Sequence, residues 1–216
     1  MQKLKEFKSI KKIDDIIWIN TTIGLFKLSK HNTIDKYYPI YTDVFFFTSK
    51  DDAFFQRPYV YLHYIKNIEN NPINIIFEPT DKNNPKDIVA VDSINNKLYF
   101  SSKFTGLYQY QNGKFTSFLK NNIWQEKELT HSIIYKNKKL AISNSRGSVF
   151  IADVSNGFKI SKIINRKEII GETILFLKSY DDYLIIGTEK GINLYKDGTI
   201  IFLDEEQGVS HKNFTS

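Results

Sequence analysis

The side chains in this sequence that could do chemistry are few and scattered. There are four histidines, His31, His63, His131 and His211, and no cysteine. No two histidines stand at metal-ligand spacing. Without thiolates, neither a zinc site nor a disulfide is expected, and no cofactor is implied. His131 and His211 occupy similar places, in Leu129-Thr-His131-Ser and Val209-Ser-His211-Lys, each just ahead of an expected strand. Such connections gather at one end of a repeat fold, where a polar ring could hold a ligand; the plainer reading is a loop-capping or solvated histidine. Trp124, in a long connection, offers a flat apolar face for a sugar, and Arg146, just before a glycine, could reach an acidic group. The ligand-binding candidates are therefore His131, His211, Trp124 and Arg146, with no catalytic set.

Other groups that resemble chemistry read better as structure. Paired carboxylates can do acid–base work, and the chain has Asp14-Asp15, Asp51-Asp52, Asp181-Asp182 and Glu205-Glu206. The Asp pairs, however, fall between apolar runs, where Asp suits a tight turn because it tolerates left-handed backbone. Gly187-Thr-Glu-Lys-Gly191 lacks the Lys-Ser/Thr pair of a phosphate loop and reads as a strand-to-strand connection. Trp18 falls at a repeated apolar slot and is expected in the core.

What must position these residues is a repeat of about 41 residues, matching the separation of Gly106 and Gly147, with Gly24 two periods earlier and Gly191 one later. Its clearest copies are Ile17-Trp-Ile-Asn-Thr-Thr-Ile-Gly-Leu-Phe26, Leu98-Tyr-Phe-Ser-Ser-Lys-Phe-Thr-Gly-Leu-Tyr108, Leu140-Ala-Ile-Ser-Asn-Ser-Arg-Gly-Ser-Val-Phe150 and Leu184-Ile-Ile-Gly-Thr-Glu-Lys-Gly-Ile-Asn-Leu-Tyr195. Each copy reads as four short strands with turn signals between them. Asn95-Asn96, Asn137-Lys138 and Asp181-Asp182 mark the first hairpin turn, while Asn112-Gly113, Asn156-Gly157 and Asp197-Gly198 mark the last. A degenerate copy turns at Asp51-Asp52; it lacks the glycine near Val60–Ile65 and carries Pro58, Pro72 and Pro79, residues suited to edges and bulges. No segment has a sustained helical apolar period; the nearest, Asn122–Leu129, reads as a loop.

Four strands per repeat of this length indicate a β-propeller blade. The expected fold is all-β, a single β-propeller over residues 1–216 with blades at about 7–40, 43–79, 87–120, 131–165 and 173–204. Residues 205–216 read as the start of a further blade, so the chain is expected to be part of a larger propeller. With 41% hydrophobic residues, 17 Phe and 13 Tyr, it can bury a large core, and most aromatics should wedge one blade against the next. The net charge of +6 is spread among acidic residues with no basic block, so nucleic acid is not an expected partner. No apolar run is long enough to cross a membrane, and the start, Met1-Gln-Lys-Leu-Lys-Glu-Phe-Lys, lacks the apolar stretch of a signal peptide.

The order "first strand, Asp/Asn turn, Leu-Trp-Ile-Gly-Thr, Gly-Leu, aromatic, Tyr, polar turn" resembles the two-component regulator propeller repeat. It stands here as Ile17-Trp18-Ile19-Asn20-Thr21 with Gly24-Leu25-Phe26, and as Leu184-Ile185-Ile186-Gly187-Thr188 with Gly191-Ile192-Asn193-Leu194-Tyr195. Asp204-Glu-Glu-Gln-Gly-Val-Ser-His-Lys-Asn213 is similar to that family's inter-blade stretch. The resemblance covers four copies well and the second poorly; the WD40 Trp-Asp pair and the kelch double glycine are absent. It implies the ligand-sensing, non-catalytic propeller of a bacterial sensor held outside the inner membrane, in the periplasm. Its partners would be a carbohydrate or other small ligand and a neighbouring propeller or sandwich domain. The alternatives are a propeller enzyme of lyase or glycosidase type, a protein-interaction scaffold, and a truncated remnant without independent function.

Overall fold

A computed structural model describes residues 7–13, 15–31, 33–39, 42, 44–47, 53–56, 62–65, 75–77, 85–95, 97–112, 114–118, 128–136, 138–155 and 157–208. The fold is all-β, of the β-propeller class: five four-stranded antiparallel sheets, each a meander in chain order. The chain divides into two compact units, Met1–Asp87 and Ile88–Ser216. The first unit holds β1 (Phe7–Ile13), β2 (Ile16–Thr21), β3 (Gly24–Leu28) and β4 (Ile34–Tyr38), then β5 (Val44–Phe47), β6 (Ala53–Gln56), β7 (Leu62–Ile65) and β8 (Ile75–Phe77). The second holds three sheets. They are β9 (Ile88–Ile94), β10 (Lys97–Ser102), β11 (Gly106–Gln111) and β12 (Lys114–Ser117); β13 (Leu129–Tyr135), β14 (Lys139–Asn144), β15 (Val149–Asp153) and β16 (Lys159–Ile164); and β17 (Ile174–Tyr180), β18 (Tyr183–Thr188), β19 (Gly191–Lys196) and β20 (Thr199–Leu203). Among the described residues there is no α-helix, only 3₁₀ turns at Arg166–Glu168 and Glu205–Gln207. The degenerate repeat forms the sheet β5–β8; its prolines and the Asp51-Asp52 turn lie outside the described residues, as does most of the Asn122–Leu129 segment.

Strand alternation gives every sheet two usable faces, because successive side chains point to opposite sides. In β13–β16, Tyr135, Ala141, Val149, Ile151 and Ile164 pack against Leu177, Leu184, Ile186 and Tyr195 of the next sheet. The opposite face presents Leu140, Ile142 and Phe150 to Ile94, Tyr99 and Leu107 of the preceding sheet. In the first unit, Trp18 and Leu25 pack on Phe45, Ala53 and Phe55. Within each unit the core thus lies between consecutive sheets, with Trp18, Phe55 and Tyr99 as wedges; these and Phe54, Phe100 and Tyr108 are almost wholly buried. Polar ties cross the same seams. The Tyr99 hydroxyl donates to the Val154 carbonyl at 3.0 Å, Ser132 to the Asp92 carboxylate at 2.7 Å, and Tyr135 to the Asp182 carbonyl at 3.0 Å.

The hairpin turns obey local chemistry. Asp197 (φ 47°) and Gly198 (φ 94°) both sit in left-handed backbone between β19 and β20, as a primed two-residue turn requires. Between β13 and β14 the turn is one residue longer than the sequence suggested, with Lys136 (φ 49°) rather than Asn137 opening it. The glycine spacing also needs a correction. Gly106 lies opposite Ser102, but the residue opposite Asn144 is Ser148, and Gly147 sits inside a three-residue turn. Gly191 is bound to its slot: a Cβ there would come 2.5 Å from the Leu203 carbonyl oxygen, as at Gly24 against Tyr38.

The first strand of four sheets carries a bulge near its start, with Lys8, Val89, Thr130 and Leu175 as the extra residues. The residue after each bulge then faces the second strand in a fixed pair: Ser9 with Asn20, Ala90 with Ser101, His131 with Ser143, Phe176 with Gly187. Gly187 explains itself here, since a Cβ would lie 2.2 Å from the Phe176 ring. Gly187→Ala is expected to cost about 1–3 kcal/mol, the usual range for overpacking, with most of that recovered in the Phe176→Ala background. Urea denaturation of the double-mutant cycle measures it, and additive single effects would contradict the packing.

Candidate functional site

The second unit brings His131 and Arg146 to the bulged end of β13. His131 does not precede the strand, as the sequence suggested; it lies inside it, because β13 begins at Leu129. The bulge at Thr130 turns Thr130 and His131 to the same side, toward Ser143 on β14. The imidazole Nδ1 stands 3.1 Å from both the Thr130 and Ser143 hydroxyls, which are themselves 2.8 Å apart. Burial pushes the His131 pKa below its ordinary value, and the Leu175 backbone carbonyl in the next sheet pulls the other way. Among the described residues no charged group contributes to that shift. His131 is thus a half-buried polar wedge between two sheets, occupied on its protein side.

The Ser132–Asp92 pair does not join His131 in a triad. Ser132 and Asp92 are hydrogen-bonded, but Ser132 points to the opposite face of β13 from His131. Among the described residues no three His, Asp or Glu side chains stand together as a metal site would need.

Arg146 is exposed in the turn between β14 and β15. Its backbone N–H and that of Ser148 donate to the Asn144 side-chain oxygen, at 3.1 and 3.0 Å, so the turn beneath it is rigidly capped. Trp124 and His211 lie outside the described residues. Of the four candidates, then, the structure places His131 in a seam and Arg146 on a turn tip at the same end of the sheet. The remaining chemistry-like motifs are structural. Asp181 (φ 48°) forms a turn, and the Asp182 carboxylate lies 3.3 Å from Lys196. In the Gly187–Gly191 segment, Thr188 ends β18 and Gly191 begins β19, with Glu189 and Lys190 as the turn.

Sequence reading missed a clamp built from this last turn. The Glu189 carboxylate accepts the backbone N–H groups of Glu172 and Thr173 at 2.6 and 2.8 Å. Asn193 accepts the Ile170 N–H at 2.7 Å and returns a bond to its carbonyl at 3.2 Å, and Thr188 donates to the same carbonyl at 2.9 Å. Burial raises the Glu189 pKa, but the N–H groups of Glu172, Thr173 and Glu189 itself outweigh it and hold the carboxyl below its usual range. The clamp fixes the chain between β16 and β17, and with it the connection end of the sheet. The signal was the Thr, Glu and Asn spacing of Thr188-Glu-Lys-Gly-Ile-Asn193, which the glycine pattern overshadowed.

Solved structures resemble this chain in fold. The extracellular domain of a putative one-component system from B. thetaiotaomicron matches at TM-score 0.72 and 16% identity, over 97% of this chain and 29% of that one. The C-terminal WD40 domain of Sif2 matches at TM-score 0.64 and 13% identity, over 91% of this chain and 58% of that one. The computationally designed Ika8 protein matches at 0.60 and 12%, over 92% and 58%. This chain therefore spans under a third of the first and somewhat over half of the other two. No protein-family model matches the chain, and no curated protein matches it in sequence.

The His131 geometry carries a pH prediction. A histidine held neutral in the folded state contributes stability above its unfolded pKa of about 6.5, lost as pH falls through the lower folded value. The melting temperature is expected to fall between pH 7.5 and 5.5, and to fall less in His131→Gln. Thermal melts of both proteins across that range are the check; identical profiles would contradict it.

Proposed function

We propose that this chain is a ligand-sensing, non-catalytic propeller segment of a bacterial two-component-type signalling regulator, held outside the inner membrane. The observation that carries this reading is the fold likeness, over nearly the whole chain, to the extracellular domain of a one-component system. The repeat spacing and the Gly-Thr and Gly-Ile/Leu strand pairs support it independently. Among the described residues no helix is long and apolar enough to cross a membrane.

The ligand would sit at the connection end of the sheets, where Arg146 is exposed on a capped turn. In this proposal Trp124 and His211, read from the sequence as connection residues, would add to it, and His131, at the bulged start of β13, would be a support. An exposed guanidinium and an indole suit a carbohydrate carrying an acidic group: the ring stacks on the sugar face, and the guanidinium forks onto a carboxylate or sulfate. Binding would signal by favouring one packing of the segment against its neighbouring domain, and the coupling can be no larger than the ligand's differential affinity for the two states.

A panel of neutral and acidic oligosaccharides, followed by thermal shift and tryptophan fluorescence, tests this. One acidic oligosaccharide is expected to raise the melting temperature without being consumed. Arg146→Ala should weaken it about tenfold, in line with about 1.4 kcal/mol for a lost charge-assisted bond. Trp124→Ala should remove the fluorescence change. Cleavage of the sugar would replace this reading with the enzyme one, and a panel with no binder would sink it.

A further inference from the structure

In an antiparallel meander the turn from second to third strand lies at the same end as the entry to the first strand. Two such turns in the second unit flank one entry segment. The Leu129 N–H donates to the Lys103 carbonyl in the β10–β11 turn at 2.9 Å, and the Ser145 N–H in the β14–β15 turn donates to the Glu128 carbonyl at 2.8 Å. Lys103 and Ser145 are thus two hydrogen-bonded chain spacings apart, about 10 Å, with Glu128 and Leu129 between them. Phe104 and Arg146 are the next residues, one in each turn.

The two turns are built alike. Ser102 and Thr105 place their hydroxyls 2.6 Å apart, and the Ser102 oxygen also accepts the Thr105 N–H at 3.3 Å. Asn144 caps the Arg146 turn in the same way, from its first residue. Neither cap uses the side chain displayed above it. Phe104 is 56% exposed, in a turn whose geometry asks for small or polar residues. The Lys103 ammonium stands 4.9 Å from the centre of its ring and 3.3 Å from the Glu128 carboxylate, so the ring is steadied from one side.

Charge is balanced on both sides of Arg146. Lys103 pairs with Glu128, and Arg166 pairs with Glu172 in the connection that lies against Gly147. Arg146 stands between these pairs and makes no ion pair among the described residues. An aromatic ring and an unneutralised guanidinium are therefore displayed on neighbouring rigid turns. Between them the Glu128 carboxylate, half-exposed and already paired, is free to accept a hydroxyl without repelling an anion.

We infer that Phe104 and Arg146 hold neighbouring units of one acidic oligosaccharide, the Phe104 ring stacking on one sugar and the Arg146 guanidinium binding the carboxylate or sulfate of the next. This rests on the carbohydrate-sensing reading above; it adds a stacking surface among the described residues and sets the smallest ligand at two linked sugars.

Calorimetric titration of the whole chain tests this with galacturonic acid, digalacturonate, a sulfated galactose disaccharide and the neutral galactose disaccharide. One acidic disaccharide is expected to bind more tightly than both galacturonic acid and the neutral disaccharide. Phe104→Ala and Arg146→Ala should each weaken it about tenfold, and Phe104→Trp should keep it, because a ring is kept. Both residues crown exposed turns, and unchanged thermal melts confirm that the variants fold. Binding that Arg146→Ala weakens and Phe104→Ala leaves intact overturns the inference while carbohydrate sensing stands. So does galacturonic acid or the neutral disaccharide binding as tightly as the acidic disaccharides. Failure of every probe to bind overturns both.

Discussion

Everything in this chain depends on burying both faces of a small sheet. A four-stranded sheet of five- or six-residue strands cannot hide its apolar side chains within itself, so it is stable only when neighbours cover it. The second unit shows the consequence. Its middle sheet, β13–β16, turns Leu140, Ile142 and Phe150 one way and Ala141, Val149 and Ile151 the other, and all six are 2% exposed or less. Alanine and valine on one side, leucine and phenylalanine on the other, let flat and bulky surfaces alternate along the stack. Polar ties such as Ser132 to Asp92 and Tyr99 to Val154 add direction to a contact that hydrophobic burial alone leaves free to slide.

The pair that follows each bulge sets the local spacing. Ala90 with Ser101, His131 with Ser143 and Phe176 with Gly187 occupy one place in three consecutive sheets. Alanine and histidine both stand opposite serine, whereas phenylalanine stands opposite glycine, whose missing side chain leaves the ring its room. His131 is the one member of the series that is ionisable, which gives this seam a pH response the other two lack.

The fold was legible because turns and strand lengths are local properties. Asp197-Gly198 could be read as a primed turn from two letters, and Gly191 marked its slot because no other residue tolerates the Leu203 carbonyl so close. What sequence could not supply was the register across a turn. One extra residue moved Gly147 off the slot of Gly106 and opened the β13–β14 turn at Lys136. The candidate site was less legible for the same reason. His131 seemed to lie in a connection because the bulge at Thr130 breaks the alternation that would have marked it as strand, and the Glu189 clamp joins residues that are adjacent only in space.

The division of labour between faces and ends follows from these constraints. Side chains on the buried faces between neighbouring sheets are committed to their partners, and even the polar ones, Ser132, His131 and Asn193, are spent on seams and connections. A residue there can change only if its partner changes with it, as Phe176 and Gly187 show. Turn tips carry no such obligation. Asn144 caps its own turn from below through two backbone N–H groups, so Arg146 above it is held in place without being used. A rigid turn with an uncommitted side chain is the cheapest place in this architecture to acquire recognition, because altering Arg146 disturbs neither the cap nor the seam. The uncommitted side chain therefore stands at the connection end, and the committed ones line the seams.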